Sequence, residues 1–358
     1  MTVKISVILT VYNTEKYLSE CLESILHQSL TNFELICIND ASTDNSLTIL
    51  SEYTEKDFRI CVYDMPENKG VSYCRNFGFS KAQGEYVIFL DSDDYFKLTM
   101  FQEMYELAKQ DDADIAICNS MKYDDVLDEM LFMEDSLRVD YLTKKEGFNY
   151  TTCPNYILNF CKGWAWDKLY KKEFLEENHL QFPALSNTED AVFVYSSLVL
   201  AERISIIDSV FVVHRIRRKD SISNRHDSNF YEFIKAMGLL REFLEKENLF
   251  QAVSKSYANL VVNLGLWYFN TLKDKGNRKE MYEILHNELF LALSSQCKLY
   301  SKEDFYVPSD YLQFKQILKK PYTEKQDKKI KIHYVLTRGL KSLRENGITY
   351  WIKRGLHN

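Results

Sequence analysis

The segment EYVIFLDSDDY, residues 85–95, runs apolar through Val87, Ile88, Phe89 and Leu90 and then sets Asp91, Asp93 and Asp94 within four positions. An apolar run this short that ends in turn formers reads as a buried strand. Carboxylates this close repel and raise one another's pKa unless positive charge sits among them. The strand end is therefore expected to meet a divalent cation or a metal-bound phosphate.

Working outward, the first 120 residues alternate strand and helix patterns. KISVILTVYN (4–13) is an apolar run closed by turn residues, and apolar positions 18, 22, 25 and 26 form a helical stripe with Thr14 as its expected cap. FELICIND (33–40) reads as a second buried strand, followed by a helix for which Ser42, Thr43 and Asp44 are good N-caps. RICVYD, a helix led by Gly70 to about Lys81, EYVIFL and ADIAICNS (113–120) continue the series. Alternation of this kind predicts an α/β fold with a mostly parallel sheet and right-handed crossovers. Ligands in such sheets bind at the carboxyl ends of the strands, and Asn13, Asp40 and Asp91 fall there.

Residues 121–226 are less regular, with the β-like runs RISIID and VFVVHRI; 227–320 are mainly helical in pattern, and 321–358 form a basic amphipathic tail. In the tail, Ile332, Leu336, Leu340 and Leu343 share one helical face among Lys and Arg, with Trp351 beyond. From Leu318 to Asn358 eleven Lys/Arg oppose three Asp/Glu, whereas the whole chain carries −7. An acidic body with a basic tail argues against nucleic-acid binding and points the tail at an anionic membrane surface.

At 358 residues, 46% hydrophobic and 27% charged, the composition is that of a globular protein with more than one core. No apolar stretch reaches the roughly 18 to 20 residues a membrane span requires, and the N-terminus lacks a signal-peptide pattern, so a cytoplasmic location is expected. Eight scattered cysteines without a C-x-x-C pair read as buried small hydrophobes, not a zinc site or disulfide framework.

No G-x-x-x-x-G-K-[ST] is present, and no G-x-G-x-x-G follows a strand, so no glycine cradle for phosphate is visible. A cation must then take the neutralising role. The stretches SVILTVYNTEKYLSECLESILHQSLTNFELICINDASTDNS and ENKGVSYCRNFGFSKAQGEYVIFLDSDDY resemble the nucleotide-binding half of inverting family 2 glycosyltransferases of GT-A fold. WAWDKLYKKEFLEENHLQF, NTEDAVF and HRIRRKDSIS resemble acceptor-side motifs of the bacterial capsule and exopolysaccharide branch.

The resemblance implies a Rossmann-like GT-A domain, with donor-binding half 1–120 and acceptor half 121–226, followed by a helical C-terminal region. It implies a nucleoside-diphosphate donor, UDP-sugar by preference, a glycan or lipid-linked glycan acceptor, and Mn2+ or Mg2+ as cofactor. Thr10, Tyr12 and Asn13 would border base and ribose, Asp40 would accept the imide N–H of uracil, and Asn68, Lys69 and Arg75 would lie near ribose and phosphates, with Ser92 beside them. Asp91 and Asp93 form the D-x-D for ribose and metal, and His214 would be a further metal ligand. Asp190 would be the base that deprotonates the acceptor, with Glu189 the next candidate. Arg215 and Arg217, pointing one way if the segment is extended, would bind a diphosphate, and Trp166 would meet the acceptor; Trp164 and Trp166 are otherwise ordinary packing aromatics. Two rivals stand beside this reading. One is a haloacid-dehalogenase-like phosphatase with Asp91 as nucleophile and Asp93 as acid/base, although that family expects its motif on the first strand. The other is a catalytically silent carbohydrate-binding protein.

Overall fold

A computed structural model describes residues 3–133, 135–217, 226–332 and 334–336, with backbone alone at 226–229. The chain divides into two compact units, residues 1–153 with 160–216, and 154–159 with 217–358.

In the first unit, β1 (Ile5–Val11), β2 (Phe33–Asn39), β3 (Ile60–Asp64) and β4 (Tyr86–Asp91) alternate with α1 (Glu15–Leu26), α2 (Ser46–Thr54) and α3 (Val71–Phe79). These strands pair in parallel in the order β3-β2-β1-β4. Ile5, Val7, Ile8 and Leu9 of β1 and Val87, Ile88 and Leu90 of β4 have no solvent exposure, because helices cover both faces of a parallel sheet. That is why these strands read as unbroken apolar runs.

Past α4 (Met100–Gln110) the sheet becomes mixed. β6 (Ile115–Asp124) and β9 (Ile204–Ile216) run parallel, while β8 (Lys168–Lys171) inserts antiparallel between β4 and β6. The short β5 (Tyr95–Phe96) pairs β9, and β7 (Glu129–Leu131) pairs β6, both antiparallel. One sheet thus continues through both expected halves of the domain. RISIID and VFVVHRI, which read as two runs, are one thirteen-residue strand, carried past a register shift at Cys118 to Ser120 of β6. α5 (Lys172–Glu177) and α6 (Glu189–Leu200) lie between β8 and β9 in sequence.

The second unit is helical: α7 (His226–Lys246), α8 (Phe250–Thr271), α9 (Lys275–Ile284), α10 (Phe290–Gln296) and α11 (Pro308–Lys319), with a π-helical turn at Leu285–Leu289. Residues 324–332 and 334–336 are also helical. The start of this last segment is packed, with Ile330 fully buried and Asp327 paired with the buried Arg278, and Ile332, Val335 and Leu336 are exposed. Leu340, Leu343 and Trp351 of the expected tail stripe lie outside the described residues. Seven of the eight cysteines are buried as expected, and Cys61 is exposed on the edge strand β3.

Candidate active site

The carboxyl ends of β1, β2 and β4 meet at one edge of the sheet, with Thr10 in register with both Ile38 and Asp91. The chain leaves β1 through Asn13 at φ 53° and leaves β2 through Ala41 at φ 55°. Non-glycine residues hold such angles only where neighbours impose them. The neighbours here are explicit: Asn13 Oδ1 accepts the Thr43 N–H at 2.8 Å, and the Asn13 N–H donates to Ser42 Oγ at 3.1 Å. Asp44 accepts the first N–H of both flanking helices, Glu15 N and Ser46 N, each at 2.9 Å. The capping expected of Thr14 therefore falls to Asp44, and Thr14 Oγ1 instead lies 2.9 Å from Ser92 Oγ. Ser92 is buried. Tyr12 stays 47% exposed.

Asp40 is buried, and its two oxygens accept the Lys69 and Gly70 N–H groups at 2.7 and 2.9 Å. Its carbonyl accepts Asn68 Nδ2 at 3.3 Å. Gly70, at φ 84°, gives the turn a conformation an L-residue would strain to adopt. Asp40 thus builds the entry to α3, and a base could use only its remaining lone pairs. The Lys69 ammonium is turned to Glu67.

Asp91, Asp93 and Asp94 bring carboxylate oxygens within 4.8 Å of one another. His214, expected as a direct metal ligand, is not part of this triad. Its Nδ1 lies 3.0 Å from Asp94 Oδ2, and the Arg215 N–H donates to Asp94 Oδ1 at 2.9 Å, so β9 joins the cluster through Asp94. Burial opposes charge on His214, but Asp94, with Asp93 and Asp91 behind it, overrides burial and pushes the imidazole up. Trp166 is buried, stacked against Trp164 at 4.7 Å and His214 at 5.3 Å, so it is the packing partner of that histidine. The loop before it is held from below by Lys168, whose buried ammonium donates to the carbonyls of Lys162 and Trp164 and to Asp167.

Arg75 joins the two expected motifs. It is 4% exposed, and its guanidinium donates to Asp91 Oδ1 and to Glu189 Oε1, each at 2.8 Å, over the face of Phe182 at 5.1 Å. Both carboxylates overcome the burial penalty and push its pKa up. The guanidinium is therefore engaged by two carboxylates, one of them on the residue expected at ribose and metal. Thr188, at φ 66°, turns the chain into α6, and Gly163 gives that helix room, since a Cβ there would come within 2.9 Å of Ala191 Cα. Burial pushes the Glu189 carboxyl up and Arg75 opposes the shift. Asp190 is pushed up to about 7, first by burial and then by Glu189, again opposed by Arg75.

Arg215 is expected at a diphosphate. It is buried, paired with Glu20 and Asp125, and enclosed by the rings of Tyr17, Tyr95 and Tyr123 at 5.1 to 5.2 Å, so it braces β9 and does not present its charge to a diphosphate. Arg217 stands beyond the strand end at φ 63°, so the two arginines do not share the extended backbone their spacing suggested. Sequence reading did not assign Asp94 as a metal-site residue or Phe182 as the platform beneath Arg75. The Asp94 signal was present in the opening motif, whereas nothing local marks Phe182.

A parallel β/α half continued by a mixed sheet, with clustered aspartates at the strand ends, is the architecture of a GT-A fold. Residues 6–174 match the profile of Glycosyl transferase family 2. The putative glycosyltransferase EpsH of Bacillus subtilis (strain 168) is 30% identical over 293 residues, covering 80% of this chain and 82% of that protein. The poly(ribitol-phosphate) beta-glucosyltransferase of Bacillus spizizenii (strain ATCC 23059 / NRRL B-14472 / W23) is 32% identical over 64% of this chain and 35% of that longer protein. Among solved structures, S. aureus TarS 1–349 superimposes with a TM-score of 0.68 at 20% identity, covering 93% of this chain and 92% of that one. The chain belongs to the family 2 glycosyltransferases. It is a sugar-transferring enzyme, and the phosphatase and silent-binder readings fall. Among the described residues no helix is long and apolar enough to cross a membrane.

Proposed function

We propose that this enzyme is a divalent-cation-dependent inverting glycosyltransferase that moves a sugar from a UDP-sugar to a hydroxyl of a glycan acceptor, lipid-linked, in surface-polysaccharide synthesis. The observation that carries the reading is the bridge made by Arg75, which puts the acid cluster at the end of β4 and the Glu189-Asp190 pair into one site. A carboxyl poised at about 7 is matched to proton abstraction near neutral pH, which suits Asp190 as the base that activates the acceptor hydroxyl. The reaction is then a single displacement without an enzyme nucleophile. Tyr12 would stack on the base, and Asp40, with the turn it organises, would border it.

Three carboxylates with oxygens within 4.8 Å form a hard donor set that fits Mn2+ or Mg2+, with Asp91 and Asp93 as ligands and Asp94 tying them to His214. Such a cation, when bound, supplies charge stabilisation to the departing diphosphate. The UDP-sugar preference is supported by the TarS structures with UDP-GlcNAc and UDP, and the surface-polymer acceptor by the relative named for poly(ribitol-phosphate). The exposed Ile332, Val335 and Leu336, preceded by Lys328, Lys329 and Lys331, would rest the enzyme on the anionic inner face of the cell membrane, where a lipid-linked acceptor resides.

The test is UDP release across a panel of UDP-sugars with Mn2+ or Mg2+. Asp93→Asn keeps shape and removes a charged ligand, so activity falls by about 10³ if the cation supplies about 4 kcal/mol at the transition state. Full activity in excess EDTA overturns the cation assignment.

A further inference from the structure

Arg75 is more deeply placed than a substrate-binding arginine needs to be. It projects from α3, is buried, and spans a carboxylate on β4 and one at the first turn of α6, two elements far apart in sequence. A guanidinium pre-organised as a planar fork can hold two carboxylates at fixed angles, which an ammonium cannot. We propose that Arg75 is a positioning residue that ties Glu189 to Asp91, so that Glu189 serves as a tether for α6 and Asp190 alone is left as the base. The inference rests on the glycosyltransferase reading above and assigns the adjacent acids of that site different tasks.

Three observations support the division. Glu189 has its Oε1 taken by Arg75, so using it as a base would break a buried ion pair. Asp190 carries no such pair to Arg75, and its Oδ1 accepts the Ala191 N–H at 2.7 Å. The charged and titratable groups that act on Asp190 are Arg75 from α3, Asp91 from β4, Tyr170 from β8, and Glu189 and Tyr195 from its own helix. Of these, Arg75 and Glu189 act on it in opposite senses.

That opposition gives a test that needs neither donor nor acceptor. Carboxyl 13C NMR of Asp-labelled protein, with the Asp190 signal assigned by its loss in D190N, follows its titration in the full chain. Wild-type Asp190 titrates near neutrality. E189Q removes a negative neighbour and moves the midpoint to lower pH, whereas R75M removes a positive one and moves it to higher pH. The R75M/E189Q protein, compared with E189Q, reads the Arg75 effect again without an orphaned Glu189, so the test stands even if R75M alone does not fold. In parallel, calorimetry with UDP and Mn2+ shows E189Q binding within a few-fold of wild type, while R75M, which also releases Asp91, binds at least tenfold more weakly. Shifts of the same sign, or an Asp190 unmoved by E189Q, overturn the inference. Absence of UDP–Mn2+ binding to the wild-type protein would instead overturn the functional reading beneath it.

Discussion

Replacing Asp327 by Ala tests whether the start of the basic tail is part of the body. Arg278 donates to Asp327 through Nε at 2.8 Å and Nη2 at 2.6 Å, and its guanidinium lies 4.2 Å from the Phe269 ring centre. The side chains are 4% and 16% exposed, so D327A leaves a buried cation facing only the carbonyls of Phe269 and Leu272 and that ring. Removing one partner of a buried pair costs about 3–5 kcal/mol, and the surviving partners place this one near the lower end, about 3 kcal/mol. At about 2–4 °C per kcal/mol for a unit of this size, the helical unit's melting midpoint falls by roughly 6–12 °C. Circular dichroism on heating and urea titration both read it. R278M/D327L, which removes both charges, loses less than D327A alone. A D327A protein within about 0.5 kcal/mol of wild type would refute the reasoning and return the whole tail to solvent or membrane. The same logic makes a chain ending at Pro321 unstable for reasons unrelated to lipid, since it also loses the buried Ile330 and the Gln326 bonds to Tyr282 and Gln316.

For Asp190 the base must be ionised, so kcat/KM for transfer rises about tenfold per pH unit up to about 7 and then levels, and D190N loses roughly 10²–10⁴ of it while still binding UDP; a flat profile from pH 5 to 7 would move the base elsewhere. For folding the sign is opposite: the raised pKa contributes stability that is full below the ordinary value of 3.8 and is lost as pH rises through about 7, which a urea series across that window reads. For the membrane reading, replacing the exposed Ile332, Val335 and Leu336 by Ser leaves the melting transition in place and abolishes co-sedimentation with anionic liposomes at low salt; wild-type binding itself weakens at 1 M salt, where the Debye length is about 3 Å, and binding unaffected by either change contradicts an interfacial helix.

The β/α succession, its parallel pairing and the placement of Asn13, Asp40 and Asp91 at strand ends could be read from the chain alone. Buried parallel strands need unbroken apolar runs, and the turns that follow them need Asn, Asp and Gly, so the signal is local. The D-x-D and Glu-Asp motifs were legible for the same reason. What each polar side chain does there was not. Arg75 and Glu189 are 114 positions apart and Arg215 and Glu20 are 195 apart, and only the folded sheet brings each pair together. A basic residue near a phosphate motif and one buried between carboxylates look alike in sequence, because the difference lies in burial and in partners from other elements. His214 shows the same limit: its position at the end of β9 suggested a ligand, and only the pairing of β9 with β5 and β6 set it against Asp94. The tail's amphipathic stripe likewise named a face without its partner, and tertiary packing decided that Asp327 and Ile330 belong to the body while Ile332, Val335 and Leu336 do not.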